Sequence, residues 1–192
     1  MKRHLLGIAV AAMVLGVAIH PAGAQEAEAL AGDTRLACEA ILCLSTGQRP
    51  GECTPSLSRY FGIIKRKLSD TLEARQNFLE QCPVAHQTPQ MSALIRAVSR
   101  GAGRCDAASL NRTLQRWSGD DGGEISISDR LPEYCAAYTG HAYTDFSQTR
   151  PRYVATPESG GYWVEAQDYE RALAEYNARR EAARRSEGWG DR

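Results

Sequence analysis

The stretch 38-CEAILCLSTGQRPGEC-53 places three of the chain's six cysteines within sixteen residues. Sulfur at this density serves a metal site, a redox couple or a covalent framework, and each use demands a different spacing. With Asp33 as the cap of a helix running through Cys43, five steps of about 100° set the Cys38 and Cys43 side chains about 140° apart around the axis. Thiols on different faces neither share one ion nor bridge each other. Zinc sites use close pairs such as Cys-x2-Cys, and redox couples use a Cys-x-x-Cys turn; this chain has neither. The remaining use is to tie the helix to other parts of the chain.

The N-terminus supports that reading. Lys2, Arg3 and His4 precede the apolar run 5-LLGIAVAAMVLGVAI-19, and His20, Pro21 and the small residues 22-AGA-24 follow. A basic start, a short apolar run and an Ala-x-Ala site predict a secretory signal peptide over residues 1–24. The run is short for a membrane span of roughly 20 residues. No cysteine lies near the cleavage site to carry a lipid. Cleavage takes the basic count from 23 to 21 against 23 acidic residues. That balance calls for neither nucleic acid nor an anionic membrane, and no other run is apolar enough to span one. The expected location is the periplasm or the exterior. There an even set of cysteines oxidises to disulfides, here three.

Helix signals dominate the body. Thr54-Pro55 and Thr88-Pro89 each read as a helix start, the threonine accepting from early backbone N–H groups while proline fills a first-turn position. Leu57, Phe61, Ile64 and Leu68 form one helical stripe, and Asp70 with Glu73 resembles a capping box that starts a helix carrying Leu72, Phe78 and Leu79 up to Cys82-Pro83. After Pro89, the residues Met91, Leu94, Ile95 and Val98 make another apolar face, closed by Gly101 and Gly103. Asp106 caps a helix with Leu110, Leu114 and Trp117 on one side, ending at Gly119. A loop follows with a short strand at Ile125–Ile127, then a helix near Pro132 to Tyr138. From residue 141 the chain turns extended and aromatic, and 152-RYVATPESGGYWV-164 predicts a hairpin. Glu165 to Arg185 forms a long amphipathic helix, with Tyr169, Leu173 and Tyr176 on one face and a frayed tail from Ser186.

The expected fold is therefore mainly α: a disulfide-stapled helical domain of five to six helices over 25–140, an extended aromatic segment with a small hairpin over 141–164, and a terminal helix over 165–192. Helix placement suggests that Cys43 bridges Cys53, Cys38 reaches Cys82, and Cys105 ties to Cys135. Each bridge would add on the order of 2–4 kcal/mol by restricting the unfolded chain.

No catalytic constellation emerges. Glu158, in the Glu-Ser-Gly turn, invites comparison with the general acid of glycan-cleaving lytic enzymes, which needs an apolar cleft that a Pro/Gly turn does not supply. Asp120, Asp121 and Glu124 suggest calcium, but Gly122 and Gly123 interrupt the oxygen spacing of an EF-hand loop. His86 and His141 are the only histidines after residue 24 and read as ordinary surface residues, so neither a metal nor a cofactor is expected. Trp117, Tyr134 and Tyr138 are assigned to the core. Tyr143, Tyr153, Tyr162 and Trp163 lie where aliphatic core formers are few; they either wrap over the helical body or bind a partner.

The succession 38-CEAILCLSTG-47, 51-GECTPSLSRYFGI-63, 78-FLEQCP-83, 101-GAGRCDAASLN-111, 127-ISDRLPEYCAAYTG-140 and 160-GGYWVEAQDYERALAEYNAR-179 resembles the TrbM family of conjugal transfer proteins. The similarity spans about residues 36 to 180 and includes every cysteine. It implies an exported accessory of a mating-pair, type IV secretion apparatus, with envelope components of that machine as partners and no catalytic residues to carry over. The competing readings are a wall-remodelling enzyme using Glu158 and a secreted inhibitor-like domain.

Overall fold

The computed structural model describes residues 30–118 and 123–187. Seven α-helices lie among them, against the five to six expected: α1 (Gly32–Leu44), α2 (Thr54–Phe61), α3 (Leu68–Leu79), α4 (Pro89–Gly101), α5 (Ala107–Thr113), α6 (Glu133–Thr139) and α7 (Tyr169–Glu187). Two antiparallel hairpins complete the fold, β1 (Gln115–Ser118) with β2 (Glu124–Ile127) and β3 (Arg152–Val154) with β4 (Tyr162–Val164). The protein is mainly α, and the second hairpin lies where the sequence placed one.

Helix α4 owes its start to Thr88, whose hydroxyl accepts from the Met91 N–H at 3.1 Å while Pro89 fills the first turn. Its buried stripe of Leu94, Ile95 and Val98 joins Leu44, Tyr60, Phe78, Leu79 and Leu110 in one apolar core. Asp106 caps α5 by accepting from the Ser109 N–H at 2.8 Å. Helix α4 also packs closely on α6. A Cβ built on Gly101 would lie 2.5 Å from Tyr138 Cβ, so only glycine permits that approach. Two buried phenols connect the layers: Tyr138 donates to the Leu44 carbonyl across 94 residues, and Tyr60 donates to the Val98 carbonyl at 3.2 Å.

Three disulfides frame this core: Cys38 with Cys82, Cys43 with Cys53, and Cys105 with Cys135. Helix α1 carries two of them. Cys38 reaches Cys82, three residues past the end of α3 at Leu79, while Cys43 holds the short 3-10 turn Gly51–Cys53 that leads into α2. No described cysteine is free.

Several local expectations are corrected. Helix α2 stops at Gly62, whose N–H closes back on the Ser58 carbonyl. Its buried face is Ser56 and Tyr60, because the Tyr60 hydroxyl must reach Val98; Ile64 and Leu68 face solvent instead of extending the Leu57–Phe61 stripe. Neither Thr54 nor Asp33 is a cap. The caps are Cys53 and Ala31, and Asp33 instead pairs with Arg59 of α2 at 2.6 Å. Asp70 and Glu73 form no capping box, since α3 begins earlier, at Leu68. Helix α5 ends at Thr113, and the chain pairs with β2 in the register Trp117↔Ile125. A strand edge thus satisfies the backbone where a continued helix was expected, and it leaves Trp117 63 % exposed rather than in the core. Tyr138 is buried as expected, and Tyr134 is half-buried. Helix α7 begins at Tyr169, after a 3-10 turn over Ala166–Asp168, and continues through Ser186.

Removing the bridges pairwise by Cys→Ala should destabilise the fold in the order of the loops they close. The separations are 44, 30 and 10 residues. Chain entropy assigns about 4 kcal/mol to Cys38–Cys82 and about 3 kcal/mol to Cys43–Cys53, measurable as urea midpoints. Gly101→Ala should cost about 1–3 kcal/mol by overpacking against Tyr138.

Burial raises the pKa of Tyr60 and pushes that of Tyr138 up to about 12. Because the folded values exceed the unfolded ones, this contribution is complete below pH about 10 and is lost as pH rises through the folded values. Stability should fall between pH 10 and 12, by on the order of 3 kcal/mol for Tyr138, and Tyr138→Phe should remove that part of the decline.

Candidate interaction surface

Beyond α6 the chain forms a strap across the helical body. The Asp145 N–H donates to the Ser45 carbonyl at 2.8 Å, and the Gly47 N–H returns a bond to the Asp145 carbonyl at 3.1 Å, a short parallel bridge centred on Thr46 and Asp145. Phe146 is buried edge-on against Tyr138, with ring centroids 4.9 Å apart. Thr149 sits on Gly47 so tightly that a Cβ there would collide with its side chain. Arg150 donates to the Thr139 carbonyl at the end of α6.

The hairpin then docks on α5 through polar clips. The Asn111 side chain donates to the Trp163 carbonyl and accepts from the Trp163 N–H, both at 2.8 Å, so one amide imitates a neighbouring strand for β4. Glu165 accepts from the Ala107 N–H at 2.8 Å, adding a distant carboxylate to the start of α5, where the helix end favours negative charge. The Trp163 indole donates to the Ser128 carbonyl and the Tyr153 hydroxyl to the Ile127 carbonyl, and the two rings meet edge to face at 5.4 Å. Desolvation, with the charges of Asp129 and Glu158, pushes the Tyr153 phenol up to about 12. It is a hydrogen-bond donor at neutral pH.

This packing divides the four aromatic candidates. Trp163 is 6 % exposed and Tyr153 is half-buried with its hydroxyl turned inward, so both serve the wrap over the body. Tyr143 stays 49 % exposed, and Tyr162 is half-exposed on β4. Asn111, Glu165 and the 45–47 segment, which hold the strap, were not singled out from the sequence. Their partners lie 52 to 100 residues away, so no local pattern marks them.

A cleft of about 280 Å³ opens between strap and body. Phe61, Tyr138 and Phe146 form apolar walls, and Arg49, Asp106 and Glu165 bring charge to its lining. Asp106 and Glu165 each accept from one α5 N–H, and Cys105 is in a disulfide. The cleft's polar and apolar mixture suits an inserted side chain or loop.

The other chemical candidates are dispersed. Glu158 lies exposed on a 3-10 turn, Pro157–Ser159, beside Glu124 and Ser126 rather than in an apolar enclosure. His141 accepts from the Tyr143 N–H and meets its ring at 5.5 Å, while His86 is exposed at the end of the turn Pro83–His86. Asp120 and Asp121 lie outside the described residues. Among those described, no three His, Cys, Asp or Glu side chains converge as metal ligands.

Among the described residues, no helix is long and apolar enough to cross a membrane. No curated protein and no solved structure matches the chain. The TrbM family model matches residues 29–177, which covers all six cysteines, the strap and the N-terminal part of α7. The chain belongs to the TrbM family and is a conjugal-transfer-related protein.

Proposed function

We propose that this protein is an exported, non-catalytic accessory of a conjugation apparatus that works in the periplasm through protein–protein contacts. The observation that carries the reading is the family match over a region stapled by three disulfides. Such a framework suits an oxidising compartment, and the basic, apolar and small-residue pattern of residues 1–24 supplies a route there. Envelope components of the machine are the partners this reading names. Their docking surface is the outer side of the strap, with Tyr143 and Tyr162 as contacts and Trp163 and Tyr153 as the internal struts that hold it in shape.

Photo-crosslinkers at positions 143 and 162 in mating cells should capture envelope proteins of the transfer system, and deleting the gene should lower mating frequency. Normal mating without the gene, together with no captured transfer component, would overturn the proposal. The mature N-terminus should be Gln25 by mass spectrometry of the periplasmic fraction. Peptidoglycan zymography checks the non-catalytic part: clearing that Glu158→Gln abolishes would replace this reading with a lytic one.

Asn111→Ala leaves the disulfide framework intact and removes both bonds to Trp163. It should cost about 1–3 kcal/mol, because the Trp163 N–H and carbonyl lose their partner. Amide exchange should quicken in β3 and β4 before it does in α4, and crosslinking from position 162 should fall.

A further inference from the structure

Five consecutive residues from the α2–α3 loop into the first residue of α3, Ile64-Lys65-Arg66-Lys67-Leu68, all face solvent. Ile64 is 75 % exposed and Leu68 55 %. The backbone beneath them is well held. Ile63, immediately before, packs on the core. Thr71, itself buried, accepts from the Lys65 N–H at 2.9 Å and donates to the Lys67 carbonyl at 3.1 Å, and its own N–H reaches the same carbonyl at 3.1 Å. One buried threonine therefore fixes the loop with both aliphatic side chains and all three cations turned outward.

None of the three cations is in an ion pair among the described residues. The nearest carboxylates in sequence, Asp70 and Glu73, follow on α3, and Asp70 accepts from the Ser69 hydroxyl. Behind the loop, Arg75 lies over the Tyr60 and Phe61 rings at 5.0 and 5.4 Å, and Arg59 over Phe78 at 5.0 Å. The formal net charge of zero for the whole chain thus conceals a local cationic knob bracketed by two aliphatic anchors.

The geometry points to this loop as a docking site for an anionic lipid bilayer surface. Cations at headgroup level and short apolar side chains entering the acyl boundary are the two layers that an interface offers to a peripheral protein. An acidic protein would answer the cations and leave Ile64 and Leu68 without an apolar partner. A few surface cations and two anchors make contact reversible. The inference stands apart from the proposed role in conjugation, because it rests on the loop alone.

The test uses protein expressed from the full-length gene and collected from the periplasm. It is mixed with vesicles of phosphatidylglycerol and phosphatidylethanolamine, or of phosphatidylcholine alone, and amide exchange is read at residues 63–70. We expect protection of the loop by the anionic vesicles only, weakened by salt. Replacing Lys65, Arg66 and Lys67 by Gln should lower affinity by tenfold or more, since each surface cation contributes about fivefold. Ile64→Ser with Leu68→Ser should lower it by about tenfold while the cations remain. Circular dichroism checks that both variants keep the fold. No vesicle binding, binding without protection at 63–70, or variants that bind like the parent would each overturn the inference. So would protection of the same amides by a poly-glutamate peptide but not by vesicles, which would assign the loop to an acidic protein.

Discussion

Helix α1 holds two covalent bonds that leave it on different sides, and the positions of the neighbouring helices depend on that divergence. Cys38 fixes the far end of α3, and Cys43 fixes the entry to α2. The Asp33–Arg59 pair adds a weaker third tie between α1 and α2, in which the hydrogen bond to Arg59 lowers the Asp33 pKa. With three helices so constrained, the Tyr60 phenol meets the Val98 carbonyl and the Tyr138 phenol meets the Leu44 carbonyl, which brings α4 and α6 into the same core. The third bridge, Cys105–Cys135, closes the opposite side by joining the start of α5 to α6.

The strap depends on that frame in a different way. Its contacts are polar and directional: the Thr46–Asp145 bridge, the two-way Asn111 amide, and Glu165 at the first N–H of α5. Such bonds specify a position, since an unpaired buried donor or acceptor costs more than a paired one contributes, and the buried Phe146, Val154 and Trp163 add apolar contact beneath them. The strap is therefore fixed both by directional bonds and by buried apolar side chains. Ala155, between β3 and the 3-10 turn, takes a left-handed backbone with φ of 68°, a conformation that side-chain-bearing residues seldom adopt.

The charge distribution carries a related lesson. A balanced total suggested a protein with no affinity for anionic surfaces, yet total charge averages over a molecule whose charges occupy separate faces. Lys65, Arg66 and Lys67 stand together because Thr71 holds their backbone, while acidic residues elsewhere are paired with arginines on α2 and α7. Over distances longer than the screening length of about 8 Å, those faces act independently.

The sequence by itself determined the helical class and the terminal hairpin, because each rests on short-range rules, helical period and turn composition; the angle between two cysteines five residues apart kept Cys38 from bridging Cys43, while the full pairing was decided by how the helices sit in the fold. It also carried the family, since six cysteines in fixed contexts make an ordered signature across most of the chain. Where local rules competed, it misled. Leu114 and Trp117 continued a helical stripe, but β2 offered the backbone a strand partner and Trp117 went to the surface. Ile64 and Leu68 extended another stripe that Gly62 cut short. Only the tertiary structure decided which aromatics of the strap are struts and which are surface, and which loop presents its cations. Those outcomes depend on hydrogen bonds between residues 26 or more apart, such as Tyr153 with Ile127 and Asn111 with Trp163, and on a buried threonine whose role shows only once the loop is folded over it.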